Sequence, residues 1–260
     1  MKTVHVLAFG LLLCSCGSTN AIKTDGDTRL RVLAYNIHHG EGTDEVLDLN
    51  RIARLINDLE PDLVAIQEVD SVVDRTNNVD QIAVLAELTG LAPAFGRFMS
   101  YQGGAYGMAL LSRLPLIEVD NMKLPDGEEP RTALRAAVRM SNGDTLDFVG
   151  IHFYRTEAER LSQAEQLNDH LESRPYAAIL AGDFNSTPGS AVMDYFNSSW
   201  TTVQKGDDRF TFPSTGPERE IDFVLYRPSE VFDIAHQFVV DEPVASDHSP
   251  IVVDFLVRRQ

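Results

Sequence analysis

Cysteine is nearly absent from this chain, and that scarcity excludes several kinds of site. The 260 residues contain two cysteines, Cys14 and Cys16, and both lie close to the N-terminus. The rest of the chain therefore holds no zinc–thiolate site, no cysteine nucleophile and no internal disulfide. A chain of this length can bury a large core without such cross-links.

Basic residues are also scarce. Lysine and arginine total 22 against 39 acidic residues, and the formal net charge is −17. Because nucleic-acid binding depends on cations that neutralise phosphates, we expect no stable nucleic-acid complex. A bound divalent cation would invert the field locally, so chemistry on anionic phosphates stays open.

Long apolar runs, internal repeats and several familiar catalytic motifs are missing too. No run reaches the roughly 18 apolar residues of a membrane-spanning helix. No P-loop, G-x-S-x-G, H-E-x-x-H or C-x-x-C motif occurs. Hydrophobic residues make up 43% and charged residues 23% of the chain, which is typical of a globular protein.

The N-terminus has a short basic start and a short apolar stretch, which predict a secretory signal peptide over residues 1–15. Its end, Leu13-Cys14-Ser15-Cys16, resembles a bacterial lipobox. We therefore expect cleavage before Cys16, a lipid on Cys16 and a flexible tether over 16–28. An exported lipoprotein, anchored in a membrane and facing the periplasm or cell exterior, follows from that reading. The alternative is a plain secretion signal that is cut nearby.

Residues 29–260 show the pattern of a single α/β domain. Apolar residues at positions 52, 55, 56 and 59 have the spacing of one helix face. Further helices are predicted from 82 to Gly90 and over 157–171. Strands are predicted over 30–37, 62–67, 106–111, 116–122, 132–138, 146–153, 177–181, 221–226, 231–238 and 251–257. Helices alternate with strands early and strands dominate later, so we expect a large, double sheet and a monomer.

Polar side chains stand at the ends of these apolar strands, where an α/β sheet collects its functional groups. If they meet, four carboxylates share one crevice and would repel one another without a cation. Oxygen ligands without cysteine favour Mg²⁺ or Mn²⁺ over zinc, and such a site suits phosphate-ester hydrolysis. The set consists of Asn36, Glu68, His152, Asp183, Asn185, Asp222, Asp247 and His248.

The order and contexts of these residues resemble the endonuclease/exonuclease/phosphatase superfamily, the group related to pancreatic deoxyribonuclease. The matching pieces span nearly the whole chain after the tether. They are Tyr35-Asn36-Ile37, Ile66-Gln67-Glu68-Val69, Gly150-Ile151-His152, Ala181-Gly182-Asp183-Phe184-Asn185-Ser186-Thr187-Pro188, Ile221-Asp222-Phe223-Val224-Leu225 and Ser246-Asp247-His248-Ser249-Pro250. The resemblance implies two packed mixed β-sheets flanked by helices, a four-layer α/β sandwich, and a metal-dependent hydrolase acting on phosphoric esters.

The resemblance also implies a ligand set for the cation. Glu68 would be the principal metal ligand, with Asn36 beside it. Asp247 would tune that region or touch a second metal. A bound Mg²⁺ or Mn²⁺ would act as a Lewis acid on a phosphoryl oxygen.

The remaining residues would act on water and phosphate. Asp183 would orient and deprotonate the attacking water, while Asn185 and His152 would donate to the phosphate. His248, oriented by Asp222, would serve as base or as cationic stabiliser. The sequence leaves the choice of general base open.

Three further positions bear on the site. Arg131, in Glu129-Pro130-Arg131, would contact phosphate or form a surface salt bridge. Met108 stands where many relatives carry an amide, and a thioether cannot donate a hydrogen bond. His38, in His38-His39-Gly40-Glu41-Gly42, would help bind metal or substrate, or would simply be exposed.

Three functions compete at this point. The first is a phosphodiesterase or phosphatase acting on small-molecule or lipid headgroup phosphates. The second is a secreted DNA or RNA nuclease, and the third is a noncatalytic binding protein on the same scaffold. Substrate choice would rest with the loops, including a polar stretch from Lys205 to Glu220 that we expect to act as a lid.

Overall fold

The computed structural model describes residues 27–125 and 127–259, which form two six-stranded sheets with helices outside them. The predicted signal peptide, Cys16 and the tether up to residue 26 lie outside the described residues. Thr28, the last predicted tether residue, already opens the first strand.

The first sheet has the strand order β11-β12-β1-β2-β4-β3. β1 runs parallel to β2 and antiparallel to β12, so the N- and C-terminal strands lie side by side at its centre. The bounds of its members are β1 Thr28–Asn36, β2 Leu63–Ser71, β3 Ala92–Tyr101, β4 Gly104–Ser112, β11 Phe232–Val239 and β12 Ile251–Val257.

The second sheet has the order β5-β6-β7-β8-β10-β9. β7 and β8 are parallel, whereas β10 runs antiparallel to β8. The bounds are β5 Leu116–Lys123, β6 Thr132–Arg139, β7 Thr145–His152, β8 Ala177–Asp183, β9 Thr201–Thr202 and β10 Asp222–Arg227. The predicted four-layer α/β sandwich with two mixed sheets is confirmed.

Alternation along the strands sends side chains to two different cores. On β1, Val32 and Ala34 face the layer between the sheets, whereas Leu33 and Tyr35 face the outer helices. This period of two is the geometry of a strand buried on both faces. The end of β1 is therefore held by apolar packing on both of its sides.

Four α-helices of the described residues cover the outer faces. α1 (Leu49–Leu59) and α2 (Gln81–Thr89) pack on the first sheet, and α3 (Glu157–Glu172) and α4 (Ala191–Phe196) pack on the second. Asp48 caps α1 by accepting a 3.0 Å bond from the Arg51 N–H, as an N-cap aspartate is expected to do. Within the described residues, no helix is both long enough and apolar enough to cross a bilayer.

The strand β3 was not predicted from the sequence. It holds Pro93 and Gly96, residues that weaken a strand pattern, and it lies at the edge of its sheet. An edge strand tolerates proline because one row of its backbone groups is unpaired.

Candidate active site

Three polar residues meet in register at one end of the second sheet. His152 ends β7 and pairs with Asp183 at the end of β8, which in turn pairs with Asp222 at the start of β10. Because β7 and β8 are parallel and β10 is antiparallel, two strand ends and one strand start share an edge. All three residues are buried.

The first sheet brings Asn36 and Glu68 to the same place. Asn36 ends β1, and Glu68 lies in β2 where the pairing with β4 shifts register between Ile66 and Val69. The backbone φ of Glu68 is +58°, which re-aims its carboxylate out of the normal strand alternation. A bulge thus turns a strand residue toward the site.

Asn36 joins the two sheets. Its Nδ2 donates to Glu68 Oε1 and to Asp183 Oδ2, each at 3.2 Å. Its Oδ1 accepts a 3.1 Å bond from the His38 N–H. Asn36 therefore acts here as a donor between two carboxylates, and direct metal ligation through Oδ1 requires its amide to turn.

His248 enters the site on the loop before β12. The Ser246 hydroxyl donates to the Asn36 carbonyl at 2.7 Å and accepts from the His248 N–H at 3.3 Å. This places His248 Nε2 3.5 Å from Asn36 Nδ2 and 3.9 Å from Asp183 Oδ2. The Ser246 hydrogen bond thus holds the loop before β12 against the end of β1.

Asp222 holds the other side of the His248 ring. His248 Nδ1 lies 2.9 Å from Asp222 Oδ2, and the Thr211 hydroxyl donates to the same oxygen at 2.6 Å. Lys205 Nζ donates to the Asp222 backbone carbonyl at 2.9 Å and pairs with Glu220 at 2.8 Å. Nε2 of His248 is thereby left facing the site.

Burial and charge shift the acid–base properties of this cluster. Burial, reinforced by the Asp222 carboxylate, raises the pKa of Asp183 to about 7. Burial alone would lower the pKa of His248, but the charge and hydrogen bond of Asp222, with Asp183, raise it to about 10. Burial holds the pKa of His152 well below its usual range, with Arg131 and His248 adding to the effect. The site thus pairs a protonated imidazole with a carboxyl that titrates near neutrality.

Asn185 follows Asp183 in a left-handed conformation, with φ +48°. Its N–H donates to Asp183 Oδ1 at 2.7 Å, and its side-chain amide donates to the Phe153 carbonyl at 2.9 Å. A side-chain amide has two N–H donors, so one is free to reach a phosphate oxygen.

The donor set fits a hard divalent cation. Asp183, Asp222 and His248 form one group whose ligand atoms lie within 4.8 Å of one another, and His38, His39 and Glu68 form another. Burial, followed by the charge of Asp222, raises the pKa of the Asp183 carboxyl, and a nearby cation would favour its ionised form. Asp247 lines the same cavity but belongs to neither group.

Comparison with known proteins gives the chain its family. The sequence profile described as the endonuclease/exonuclease/phosphatase family matches residues 33–248, which include every candidate site residue named above.

The chain belongs to the endonuclease/exonuclease/phosphatase family.

The curated proteins to which this chain is similar share low sequence identity with it. The uncharacterised protein YbhP of Escherichia coli K12 is 28% identical over 169 residues, which cover 60% of this chain and 66% of YbhP. A UPF0294 protein of Vibrio campbellii is 30% identical over 140 residues, 50% of this chain and 47% of its own. The matches therefore span less than two thirds of each relative.

Solved structures of the family share the fold. A Bacteroides vulgatus endonuclease/exonuclease/phosphatase has a TM-score of 0.76 at 19% identity, covering 89% of this chain and 100% of that one. The corresponding Beutenbergia cavernae protein scores 0.72 at 22% identity, covering 89% and 72%. The Bacteroides thetaiotaomicron mannosyl-6-phosphatase Bt3783 scores 0.71 at 18% identity, covering 87% and 99%.

The candidate site opens into a cavity of about 440 Å³ whose rim is cationic and aromatic. Arg131 is buried, pairs with Glu129 and lies 4.9 Å over the Phe98 ring at the cavity, so a salt bridge is present away from the open surface and the contact with phosphate stays a prediction. Phe212 and Arg219 lie in the stretch from Lys205 to Glu220 that was expected to take part in substrate choice, although neither was named as a site residue. Sequence reasoning named none of the other cationic and aromatic rim residues as site residues, and no motif marks them. They are Arg75, Tyr101, Tyr106, Tyr154 and Arg155.

The structure also shows where Met108 and the predicted lid lie. Met108 is fully buried between the sheets, and a Cβ added at Gly150 would lie 2.3 Å from its Cε, so it fills the core and makes no polar contact. The prediction that the stretch from Lys205 to Glu220 forms a free lid is wrong. Thr211 is fully buried, and the two residues at the ends of the stretch, Lys205 and Glu220, are also buried. Two of its buried residues, Lys205 and Thr211, donate hydrogen bonds to Asp222.

Proposed function

We propose that this protein is a divalent-metal-dependent phosphoesterase that hydrolyses phosphodiester or phosphomonoester bonds by in-line attack of water. The observation that carries this proposal is the Asn36 amide, which hydrogen-bonds Glu68 of one sheet and Asp183 of the other at 3.2 Å. It holds a metal-ligating carboxylate and a water-orienting carboxylate at a fixed separation. A noncatalytic binding protein would have no need of the Asp222–His248 pair behind them.

The residues of the chain have separate roles in this proposal. A divalent ion held by Glu68, with Asn36 beside it, would polarise a phosphoryl oxygen. Asp183, with a pKa of about 7, suits the orientation of a water and the acceptance of its proton. His248, protonated at neutral pH because of Asp222, suits the stabilisation of charge that develops on the phosphoryl group.

Phosphate recognition would fall to donors around the reacting centre. The free amide N–H of Asn185 and the Arg131 guanidinium both border the cavity. His152 Nε2 lies 3.4 Å from Asp183 Oδ2, and its lowered pKa keeps it neutral, so it acts as an uncharged donor. We propose no covalent intermediate, because no cysteine or activated serine lines the described cavity.

Small-molecule or lipid headgroup phosphates are the substrates that we propose. A cavity of about 440 Å³ admits a headgroup or sugar phosphate, and its arginines offset the acidity of the chain as a whole. The fold is shared with a protein named as a mannosyl-6-phosphatase, which is consistent with a small substrate. An N-terminal lipid on Cys16, in an exported protein, would hold the site near a membrane.

A substrate panel tests the proposal. The purified chain is incubated with Mg²⁺, Mn²⁺ or chelator and offered a bis-aryl phosphate, an aryl monophosphate, choline phospholipids, plasmid DNA and RNA. We expect metal-dependent turnover of the small phosphates and little nicking of DNA. Activity that persists in chelator would contradict the metal requirement. DNA or RNA cleavage far above diester turnover would replace the proposal with the nuclease alternative.

Two further measurements test the mechanism. In heavy-oxygen water, the label should enter the phosphate product, since label only in the leaving alcohol would exclude attack at phosphorus. Asp183→Asn and His248→Gln should each lower kcat by about two orders of magnitude or more. Asp194→Asn, an exposed change on α4, is the matched control and should leave kcat unchanged.

A further inference from the structure

Two adjacent histidines directly after the site strand adopt an unusual backbone. His38 and His39 have φ of +46° and +45°, a region that side chains other than glycine seldom occupy. Buried Gln81 of α2 holds this turn, because its Nε2 donates to the His39 carbonyl at 2.6 Å and its Oε1 accepts the Asp70 N–H at 2.9 Å. Strain that is fixed by its surroundings in this way is characteristic of functional sites.

The turn brings two imidazoles to one carboxylate. One ligand atom each of His38, His39 and Glu68 lies within 4.8 Å of the other two, and the histidine ring centroids are 4.4 Å apart. Glu68 Oε1 accepts from Asn36, which leaves Oε2 for another partner. The three ligand atoms thus lie close together, and Glu68 also lines the cavity that holds the proposed phosphoesterase residues.

Glu41 lies close to both rings. Its backbone carbonyl lies 3.2 Å from His38 Nδ1, and its carboxylate Oε2 lies 3.8 Å from His39 Nε2. The nitrogens left over are His38 Nε2 and His39 Nδ1, and the latter is buried without a hydrogen-bond partner. The His38 contact is the arrangement found in metal-ligating histidines, whose second ring nitrogen is directed to a carbonyl or carboxylate. The Glu41 carboxylate lies near His39 at a distance longer than a hydrogen bond.

We propose that His38, His39 and Glu68 form a second divalent-metal site that prefers an imidazole-binding ion such as Zn²⁺. Two nitrogens and one carboxylate are the ligands that such an ion takes, and a fourth position would remain for water. Zn–N bonds are about 2.0–2.1 Å long, so the side chains would rotate inward to close the present spacing. This site goes beyond the proposed hydrolysis, and it shares with the proposed Mg²⁺ site the carboxylate of Glu68.

Metal binding tests the site independently of catalysis. The purified chain, labelled with ¹⁵N, is titrated with Zn²⁺ in the presence of excess Mg²⁺, and its imidazole resonances are followed by NMR. We expect Zn²⁺ to shift the imidazole nitrogen resonances of His38 and His39 as direct coordination does, whereas Mg²⁺ on Glu68 alone should change them only slightly. A competing chelator dye then gives the Zn²⁺ affinity.

Variants sharpen this test. His38→Gln and His39→Gln should each weaken Zn²⁺ binding at least tenfold, and Glu41→Gln about tenfold, the usual effect of removing an outer partner. His236→Gln, an exposed change on β11, should bind Zn²⁺ like the parent. Asp183→Asn should keep Zn²⁺ binding while losing hydrolysis, which separates this proposal from the phosphoesterase.

Two results would overturn the second site. Zn²⁺ that shifts His152 and His248, but neither His38 nor His39, would place the ion elsewhere. Parental Zn²⁺ affinity in both His38→Gln and His39→Gln would do the same. If a variant fails to fold, the resonances of the parent chain still decide the question.

Discussion

His248 Nδ1 and Asp222 Oδ2 lie 2.9 Å apart although their residues belong to different sheets. Asp222 opens β10 of the second sheet, and His248 precedes β12 of the first. The Thr211 hydroxyl adds a 2.6 Å bond to the same carboxylate oxygen. The imidazole is therefore oriented by the sheet opposite to the one that carries it, and its charge depends on that contact.

Loss of the Asp222 contact that orients His248 should lower the rate of hydrolysis. Asp222→Asn should lower kcat by about two orders of magnitude, because the imidazole loses the carboxylate that keeps it protonated. The pKa of His248 would fall from about 10, so the alkaline limb of the pH–rate profile should move to lower pH. Thr211→Val, which removes only the supporting hydroxyl, should lower kcat about tenfold and move the same limb less.

Thr201→Val, a matched change on β9, controls for the loss of a threonine hydroxyl and should leave the profile unchanged. An alkaline limb that stays in place in Asp222→Asn would contradict a cationic role for His248. A shift confined to the acid limb would instead assign His248 the role of general base.

The exposed arginines of the rim should control substrate binding. Arg155 and Arg219 are exposed and line the cavity, and Arg219 lies 5.4 Å over the Phe212 ring. Arg155→Gln and Arg219→Gln should each raise KM for a small anionic substrate about five- to tenfold with kcat nearly unchanged. Steady-state kinetics check this, with exposed Arg54→Gln of α1 as the control; a fall in kcat without a rise in KM would contradict it.

Asp183 should make the metal-free protein less stable at higher pH. Its pKa is raised from 3.8 in the unfolded chain to about 7 in the fold. The folded state therefore holds the proton more tightly, and this contribution is present below pH 4 and lost as the pH rises through 7. Asp183→Asn should accordingly raise the free energy of unfolding at pH 8 by at least about 1.4 kcal/mol relative to its effect at pH 4.

Urea denaturation in chelator, at the two pH values, gives this difference directly. Asp194→Asn on the surface of α4 should show no such pH dependence. Equal effects of Asp183→Asn at pH 4 and pH 8 would mean that the Asp183 carboxyl is ionised throughout that range.

The buried ion pair between Lys205 and Glu220 should show a strong coupling in the free energy of unfolding. Lys205 Nζ lies 2.8 Å from Glu220 Oε1, and the lysine side chain is 1% exposed. Lys205→Met should lower the free energy of unfolding by about 3–5 kcal/mol, because it leaves a buried carboxylate without its partner. The double variant Lys205→Met, Glu220→Gln should recover much of that loss in a double-mutant cycle.

The neighbouring Arg209, whose guanidinium lies 3.6 Å from Glu220 and is largely exposed, supplies the control. Arg209→Gln should cost less than about 1 kcal/mol. If the effects of Lys205→Met and Glu220→Gln simply add, the two groups act independently and the coupling is absent.

Residues at strand ends were the part of the site that the sequence could predict. His152 and Asp183 close apolar strands, and such strands can be recognised from composition alone. Their meeting followed from the rule that parallel strands present their ends at one edge. The sequence could also predict the double sheet, because strands such as Ala177–Asp183 are apolar on both faces.

The rest of the site depends on contacts that leave no local pattern. Thr211 and Arg219 lie in a stretch rich in glycine and proline, which indicates a loop but not where it folds back. The direction of the Asn36 amide is decided by the His38 N–H and by two carboxylates from distant strands. The left-handed turn at His38 and His39 is likewise fixed by Gln81, more than 40 residues away in the chain.

The pairing of β1 with β12 ties Asn36 and His248 to one structural unit of the first sheet. A truncation that removes residues 240–259 would take away the direct neighbour of β1 and the imidazole of His248 together. Asn36, which ends β1, would also lose the Ser246 hydroxyl that donates to its carbonyl. Loss of this segment should thus dismantle the arrangement of the site as a whole, and not merely remove one of its side chains.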